Sequence, residues 1–171
     1  MTRLDKVIAD VIEREGGSKA TDDPNDTGGR TQYGVSERSN PEAWADGKVT
    51  AQEAREIFLR KYVVWPKFHT IPPSHPSIQE QLIDFGVHSG PGSAVMRLQE
   101  CLNEAGASPK LKVDGDFGAK TLAVLLGIDD RSINNLLMAA RLRLIGRIVS
   151  KQPNQLKFLN GFINRALGFM K

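Results

Sequence analysis

The first fifteen residues leave little choice about how this chain begins. Leu4, Val7, Ile8, Val11 and Ile12 recur at the i, i+3, i+4, i+7, i+8 spacing of a single apolar stripe on an α-helix. Thr2, with Asp5 three residues on, reads as a capping box that opens a helix over 2–15. The next position on the stripe is Glu15, and Gly16 and Gly17 come directly after it. Glycine ends helices because it takes a left-handed conformation without a Cβ penalty. A stripe built for burial therefore runs out on a carboxylate, and the chain must turn there.

Beyond the two glycines the residues are those of turns. Residues 18–36 hold Pro24, Gly28, Gly29 and Gly34 among Asp, Asn and Thr. Thr31 to Val35 reads as a short strand, half of a small hairpin. A carboxyl group at the end of an apolar stripe loses hydration, which disfavours its charged form and suits it to donate a proton. A second carboxylate on the polar loop stays ionised and can hold or activate water. Asp26 and Asp23 both fit that part, with the Thr31 hydroxyl to orient the water. Two carboxylates in unlike environments are what glycosidic bond cleavage requires. The bland alternative is that Glu15 pairs with Arg14 or Arg30 and that the Asp-rich loop is only a turn.

The rest of the chain reads as helices. Asn40-Pro41 opens a short one through about Asp46. Thr50 and Glu53 form a second capping box, with Ala54, Ile57, Phe58 and Tyr62 facing inward and Trp65-Pro66 as the stop. Residues 66–76 hold four prolines and form an irregular crossing. Ser77 with Glu80 opens a helix with Ile78, Leu82, Ile83 and Phe85 apolar. Ser89-Gly90-Pro91-Gly92 breaks it, and Ser93 caps the next, with Val95, Leu98, Leu102 and Ala105 spaced for burial and Gly106 closing it. Val113 to Gly118 is a turn before a short helix to Gly127. Two helices, roughly 132–151 and 154–168, are split by Pro153, and Arg141, Arg143 and Arg147 mark the polar face of the first. The expected class is mainly α, a helical bundle with one small β-hairpin near the N-terminus.

At 171 residues and 40% hydrophobic, one compact domain with a real core is the default. No run of about 18 apolar residues exists to span a membrane. The N-terminus carries acids throughout and lacks a small-residue cleavage site, so the expectation is synthesis in the cytoplasm without a signal peptide. The charge is uneven. Residues 1–109 carry 12 basic and 16 acidic side chains, and residues 110–171 carry 11 and 4. The basic final third suits an anionic partner such as an envelope surface.

Several motifs here resemble the N-terminal signature of the glycoside hydrolase family 108 muramidases, which include phage endolysins and secretion-associated peptidoglycan hydrolases. They are E-G-G at 15–17, D-P at 23–24, D-x-G-G at 26–29 and T-x-Y-G at 31–34. The resemblance implies a lysozyme-like α+β fold and Glu15 as catalytic acid. The order Glu, Asp, Thr is also similar to the helix-to-hairpin triad of phage lysozymes, which assigns Asp26 and Thr31 beside it. V-x-S-G at 87–90, L-Q at 98–99, V-D-G-x-F-G at 113–118, Gly161 and N-R at 164–165 resemble the small helical peptidoglycan-binding subdomain that comes next in this family. The chain departs from the pattern at Ser18, where the family usually has Tyr, at His88, usually Asn, and at Phe162, often Trp. The implied division is a catalytic region over 1–92 and a peptidoglycan-binding subdomain over 93–171, packed on it.

The implied activity is a muramidase cleaving the bond between N-acetylmuramic acid and N-acetylglucosamine of bacterial peptidoglycan. The rival readings are a lytic transglycosylase on the same substrate and a non-catalytic peptidoglycan-binding protein. Asp23, Tyr33 and His88 are expected to border the substrate. Trp44 is a further residue able to stack on sugar, and Trp65 is expected in the core. No cofactor and no metal are expected. Asp23, Asn25, Thr27 and Gly28 match the first half of a calcium loop, but its twelfth position is Gly34 and the bidentate ligand is missing. His69, His75 and His88 lack metal-ligand spacing, and Cys101 is a single thiol. No nucleic-acid motif accompanies the basic C-terminal third, so no nucleic-acid partner is expected, and a monomer is. Action in the cell wall would require pore- or secretion-dependent release.

Overall fold

The structure is a computed structural model that describes residues 2–22 and 29–170. The chain packs as two units, Met1–Trp65 and Pro66–Lys171. Among the described residues there are seven α-helices and one two-stranded antiparallel sheet.

The first unit begins with α1, Arg3–Arg14, opened by the reciprocal Thr2–Asp5 capping box. Val7, Ile8, Val11 and Ile12 are buried, the stripe expected from their spacing. Each such side chain contributes about 1.5–3 kcal/mol when removed from water. The stripe packs on α2, Ala51–Leu59, which opens with its own capping box at Thr50 and Glu53. Asp5 doubles as cap and ion-pair partner of Arg55 on α2. Between the two helices, β1 (Thr31–Gln32) and β2 (Val35–Ser36) form a hairpin in which Gln32 faces Val35. A 3₁₀ turn over Pro41–Trp44 replaces the longer helix expected there. Its Trp44 is buried and donates from Nε1 to the Val35 carbonyl at 3.2 Å, so this ring belongs to the core and is not a sugar platform.

After Leu59 the helix widens into a π-helical turn, Arg60–Val64. Such turns shift the register of the side chains beyond them and recur at functional sites. Here the shifted residues are Tyr62, half-buried against Phe58, and Trp65, which is 65% exposed. The core position expected for Trp65 is therefore corrected: the wider turn carries it outward, over the Arg60 guanidinium.

The second unit is helical. Its helices are α3 (Pro76–Ser89), α4 (Pro91–Glu104), α5 (Ala119–Leu125), α6 (Asp130–Lys151) and α7 (Leu159–Leu167). α3 and α4 begin at prolines rather than at Ser77 and Ser93, because proline at the first helical position has no N–H to leave unsatisfied. The amides of Ser77 and Ile78 instead donate to the Asp130 carboxylate, which caps α3 from the start of α6. A 3₁₀ segment, Pro153–Phe158, fills what spacing assigned to the start of the last α-helix. Ala105, expected on a buried stripe, is exposed just beyond the end of α4.

Buried polar side chains pin this unit together. The Gln99 amide oxygen accepts from the Asp114 and Gly115 amides, and its nitrogen donates to Asp114, the Asp116 carbonyl and Thr121. The 111–118 turn thus has its register set by one glutamine. Asp84 on α3 is fully buried and accepts from Arg141 Nη2 at 2.9 Å and Arg165 Nε at 3.0 Å. Arg141, read from spacing as part of a polar face, is only 4% exposed. Periodicity places it correctly on the helix but cannot show that a partner carboxylate waits inside.

Candidate active site

Glu15 is the C-cap of α1. Its amide bonds back to the Val11 and Ile12 carbonyls at 3.1 Å each, and the side chain leaves the helix half-buried. Gly16 and Gly17 have φ of 113° and 55°, conformations that disfavour a Cβ, and the Gly17 amide returns to the Ile12 carbonyl. The two glycines reverse the chain within one turn of the carboxylate.

The hairpin is then drawn against that turn. The Tyr33 amide donates to the Gly17 carbonyl at 3.0 Å, and the Gln32 side chain donates to the Ser18 carbonyl at 3.2 Å. Thr21 and Thr31 exchange backbone hydrogen bonds of 2.8 and 2.9 Å. The hairpin turns on Tyr33 and Gly34, both at positive φ, 52° and 72°. A two-residue turn with both central residues left-handed matches the twist of the strands it joins. For Tyr33 that conformation costs on the order of 1–2 kcal/mol, a strain sustained by the contacts around it.

Gly34 faces Glu15 directly. A Cβ on Gly34 would lie 2.9 Å from the Glu15 Cβ and 3.0 Å from the Phe58 ring. The absence of a side chain is what lets the hairpin close on the carboxylate stem. Gly34→Ala is expected to destabilise the unit by about 1–3 kcal/mol, since strain in φ adds to the clash. Thermal unfolding of wild type and Gly34→Ala checks this, and an unchanged Tm would mean that the close approach is relieved without cost.

Tyr62 completes the neighbourhood. Burial pushes its phenol above the ordinary value, and the nearby charge of Glu15 pushes the same way. Residue spacing marked Tyr62 only as inward-facing; the π-helical turn that aims it carries no short-range signal.

Arg30, one of two ion-pair partners considered for Glu15, is held by another carboxylate. It donates to Glu37 through Nε at 2.9 Å and Nη2 at 2.7 Å and lies over the Trp44 ring. That bidentate pair raises Arg30 and lowers Glu37 from their ordinary values.

The structure thus brings Glu15 together with the turn of the hairpin that carries Tyr33 and Thr31. The Thr31 hydroxyl donates to the Gly29 carbonyl at 3.4 Å. Asp23 and Asp26 lie outside the described residues. His88 is in the second unit, at the end of α3, with its ring 5.2 Å from Phe162. Among the described residues no cluster of His, Cys, Asp and Glu has the makings of a metal site. Cys101 is buried and its thiol is pushed up to about 11, chiefly by burial.

Residues 8–90 match the family model of glycosyl hydrolase 108, and residues 93–167 match that of a predicted peptidoglycan domain. The two matches part near residue 92, whereas the packing units part after Trp65. Nine chains of solved structures match. One, the structure of Brucella abortus SagA, is 28% identical over 97% of this chain and 94% of that chain, with a TM-score of 0.64. No curated protein matches. The fold is the mainly α, lysozyme-like one that the sequence resemblance implied.

Proposed function

We propose that the chain, a peptidoglycan hydrolase by its match to glycosyl hydrolase 108 over residues 8–90 and to a predicted peptidoglycan domain over 93–167, is a muramidase with Glu15 as its general acid. The observation that carries this reading is the position of Glu15: a half-buried residue at the end of α1, closed over by the Gly34 turn, with a charge that Tyr62 feels.

In this mechanism Glu15 protonates the glycosidic oxygen as the bond to N-acetylmuramic acid breaks. Positioned proton transfer of this kind contributes about 10²–10⁴-fold. An aspartate of the segment before the hairpin, Asp26 or Asp23, holds or activates the water, with Thr31 on β1 orienting it. Inversion requires the two carboxyl groups to stand about 6.5–9.5 Å apart, and retention about 5 Å. Tyr33 borders the sugar at the hairpin turn. The exposed cations Arg147, Lys151 and Lys157 support an anionic envelope surface as a further partner, reached after release from the cytoplasm.

The chemistry is tested by mass spectrometry of muropeptides released from purified peptidoglycan. Hydrolysis is expected to leave reducing N-acetylmuramic ends that carry one added water. Products ending in 1,6-anhydro rings, lighter by that water, would replace the muramidase with a lytic transglycosylase. Absence of any released fragment would leave a peptidoglycan-binding protein.

A further inference from the structure

The chain carries no acidic residue after Asp130. From Arg131 to Lys171 it holds eight basic side chains and no Asp or Glu. Part of that charge is already engaged inside the fold. Arg141 and Arg165 are held on Asp84, and Arg143 lies 3.7 Å from Glu104. Lys151 at the end of α6 and Lys157 in the 3₁₀ segment after it stand exposed.

Apolar surface gathers in the same stretch. Ile148, Leu156, Phe158, Leu167 and Met170 are half of the large apolar side chains exposed among the described residues. Leu156 is 60% exposed and Phe158 48%. Three of the groups here meet in space. Ile148 and Phe162 face one groove of about 370 Å³, whose wall continues through Leu144 and Ile145. The Phe158 ring stands 6.1 Å from that of Phe162. The lysines lie beside them. The Lys157 ammonium is 4.8 Å from the centre of the Phe158 ring, and Lys151 follows Ile148 by three residues on one face of α6. The lining of the groove includes no carboxylate.

An apolar rim with lysines at its margin fits a partner that is anionic at its surface and apolar beneath. Nucleic acid and anionic carbohydrate polymers offer the charge but no hydrocarbon layer for Leu156 and Phe158. We propose that this face of the second unit binds the surface of an anionic phospholipid bilayer. Phe158, Leu156 and Ile148 enter the boundary between headgroups and acyl chains, and Lys151 and Lys157 reach the phosphates. Aromatic rings favour that boundary, and lysine stems lie along apolar surface while the ammonium stays in water. Each lysine near such a membrane adds about fivefold to partition. The proposal rests on the envelope reading above and makes its anionic partner a bilayer.

The test is co-sedimentation of the full chain with vesicles of phosphatidylcholine alone and of phosphatidylcholine mixed equally with phosphatidylglycerol. Binding to the mixed vesicles is expected to be at least about tenfold the tighter, and to weaken as salt rises. Lys151→Glu with Lys157→Glu is expected to reduce it to the phosphatidylcholine level. Leu156→Ser and Phe158→Ser are each expected to weaken it by about tenfold, with an unchanged circular dichroism spectrum. Leu156→Ser keeps the apolar part of the test valid if Phe158→Ser disturbs its contact with Phe162. Equal binding to the two vesicles, or wild-type binding by the lysine variant or by Leu156→Ser, would overturn the bilayer. Lipid-free cell walls and muropeptide release are read in parallel. A chain that binds anionic walls but no vesicle keeps an envelope partner and loses the bilayer. A chain that binds vesicles but releases no muropeptide keeps the bilayer and loses the muramidase reading.

Discussion

Glu15→Gln is expected to abolish measurable lysis of purified peptidoglycan, a fall of roughly 10²–10⁴-fold, while the protein stays folded. The amide keeps the shape of the carboxyl and removes only the transferable proton. Glu15 sits half-buried at a helix end, so the exchange should shift stability by no more than about 0.5 kcal/mol, or about 2 °C in Tm. Turbidity of a peptidoglycan suspension measures the first, and circular dichroism during heating the second. Lysis near the wild-type rate would sink Glu15 as the acid. Loss of lysis together with loss of fold would be uninformative about chemistry, which is why the isosteric substitution is the right one.

The largest stability effect is expected at Asp84. Asp84→Ala leaves the guanidiniums of Arg141 and Arg165 beside each other in a buried site without the carboxylate that holds them. Removing one partner of a buried ion cluster costs about 3–5 kcal/mol, because the guanidiniums lose the carboxylate that offsets their desolvation. For a chain of this length that lowers Tm by on the order of 10 °C. The sign with pH comes from the direction of the shift. The folded carboxyl titrates below its unfolded value, so its stabilisation is fully present above about 3.9, the unfolded value. It is lost as pH falls through the lower folded value. Wild type and Asp84→Asn should therefore converge in stability as the pH is lowered below about 4, and separate again at neutrality. A constant gap across that range, seen by chemical denaturation at several pH values, would show that Asp84 acts by shape rather than charge.

Much of the arrangement was legible in local sequence, for reasons that are themselves local. The stripe from Leu4 to Ile12 and the capping boxes at Thr2 and Thr50 are short-range patterns. Each is satisfied within one or two helical turns, and the structure forms them where expected. Gly16 and Gly17 signalled a stop directly after Glu15, and the stop is there. Pro76 and Pro91 set the helix starts more strongly than the serines beside them, since a proline needs no capping partner.

Other features depended on what arrives from elsewhere in the chain. Nothing near Arg141 in sequence distinguishes it from Arg143. One is buried on Asp84, 57 residues away, and the other lies within 3.7 Å of Glu104 with its side chain 53% exposed. Gln99 looks like any helical glutamine until the 111–118 turn folds over it. Trp65 is not in the core expected of it before Pro66, because a single wide turn carries it outward. What the amino-acid sequence determined by itself was the placement of Glu15: a carboxylate at the end of a buried stripe with the chain forced to turn behind it. What only the tertiary structure decided was its company. The Gly34 turn closes on the Glu15 stem through a hairpin, and Tyr62 is carried by a π-helical turn; the energies of both depend on packing across many residues, which short-range spacing does not encode.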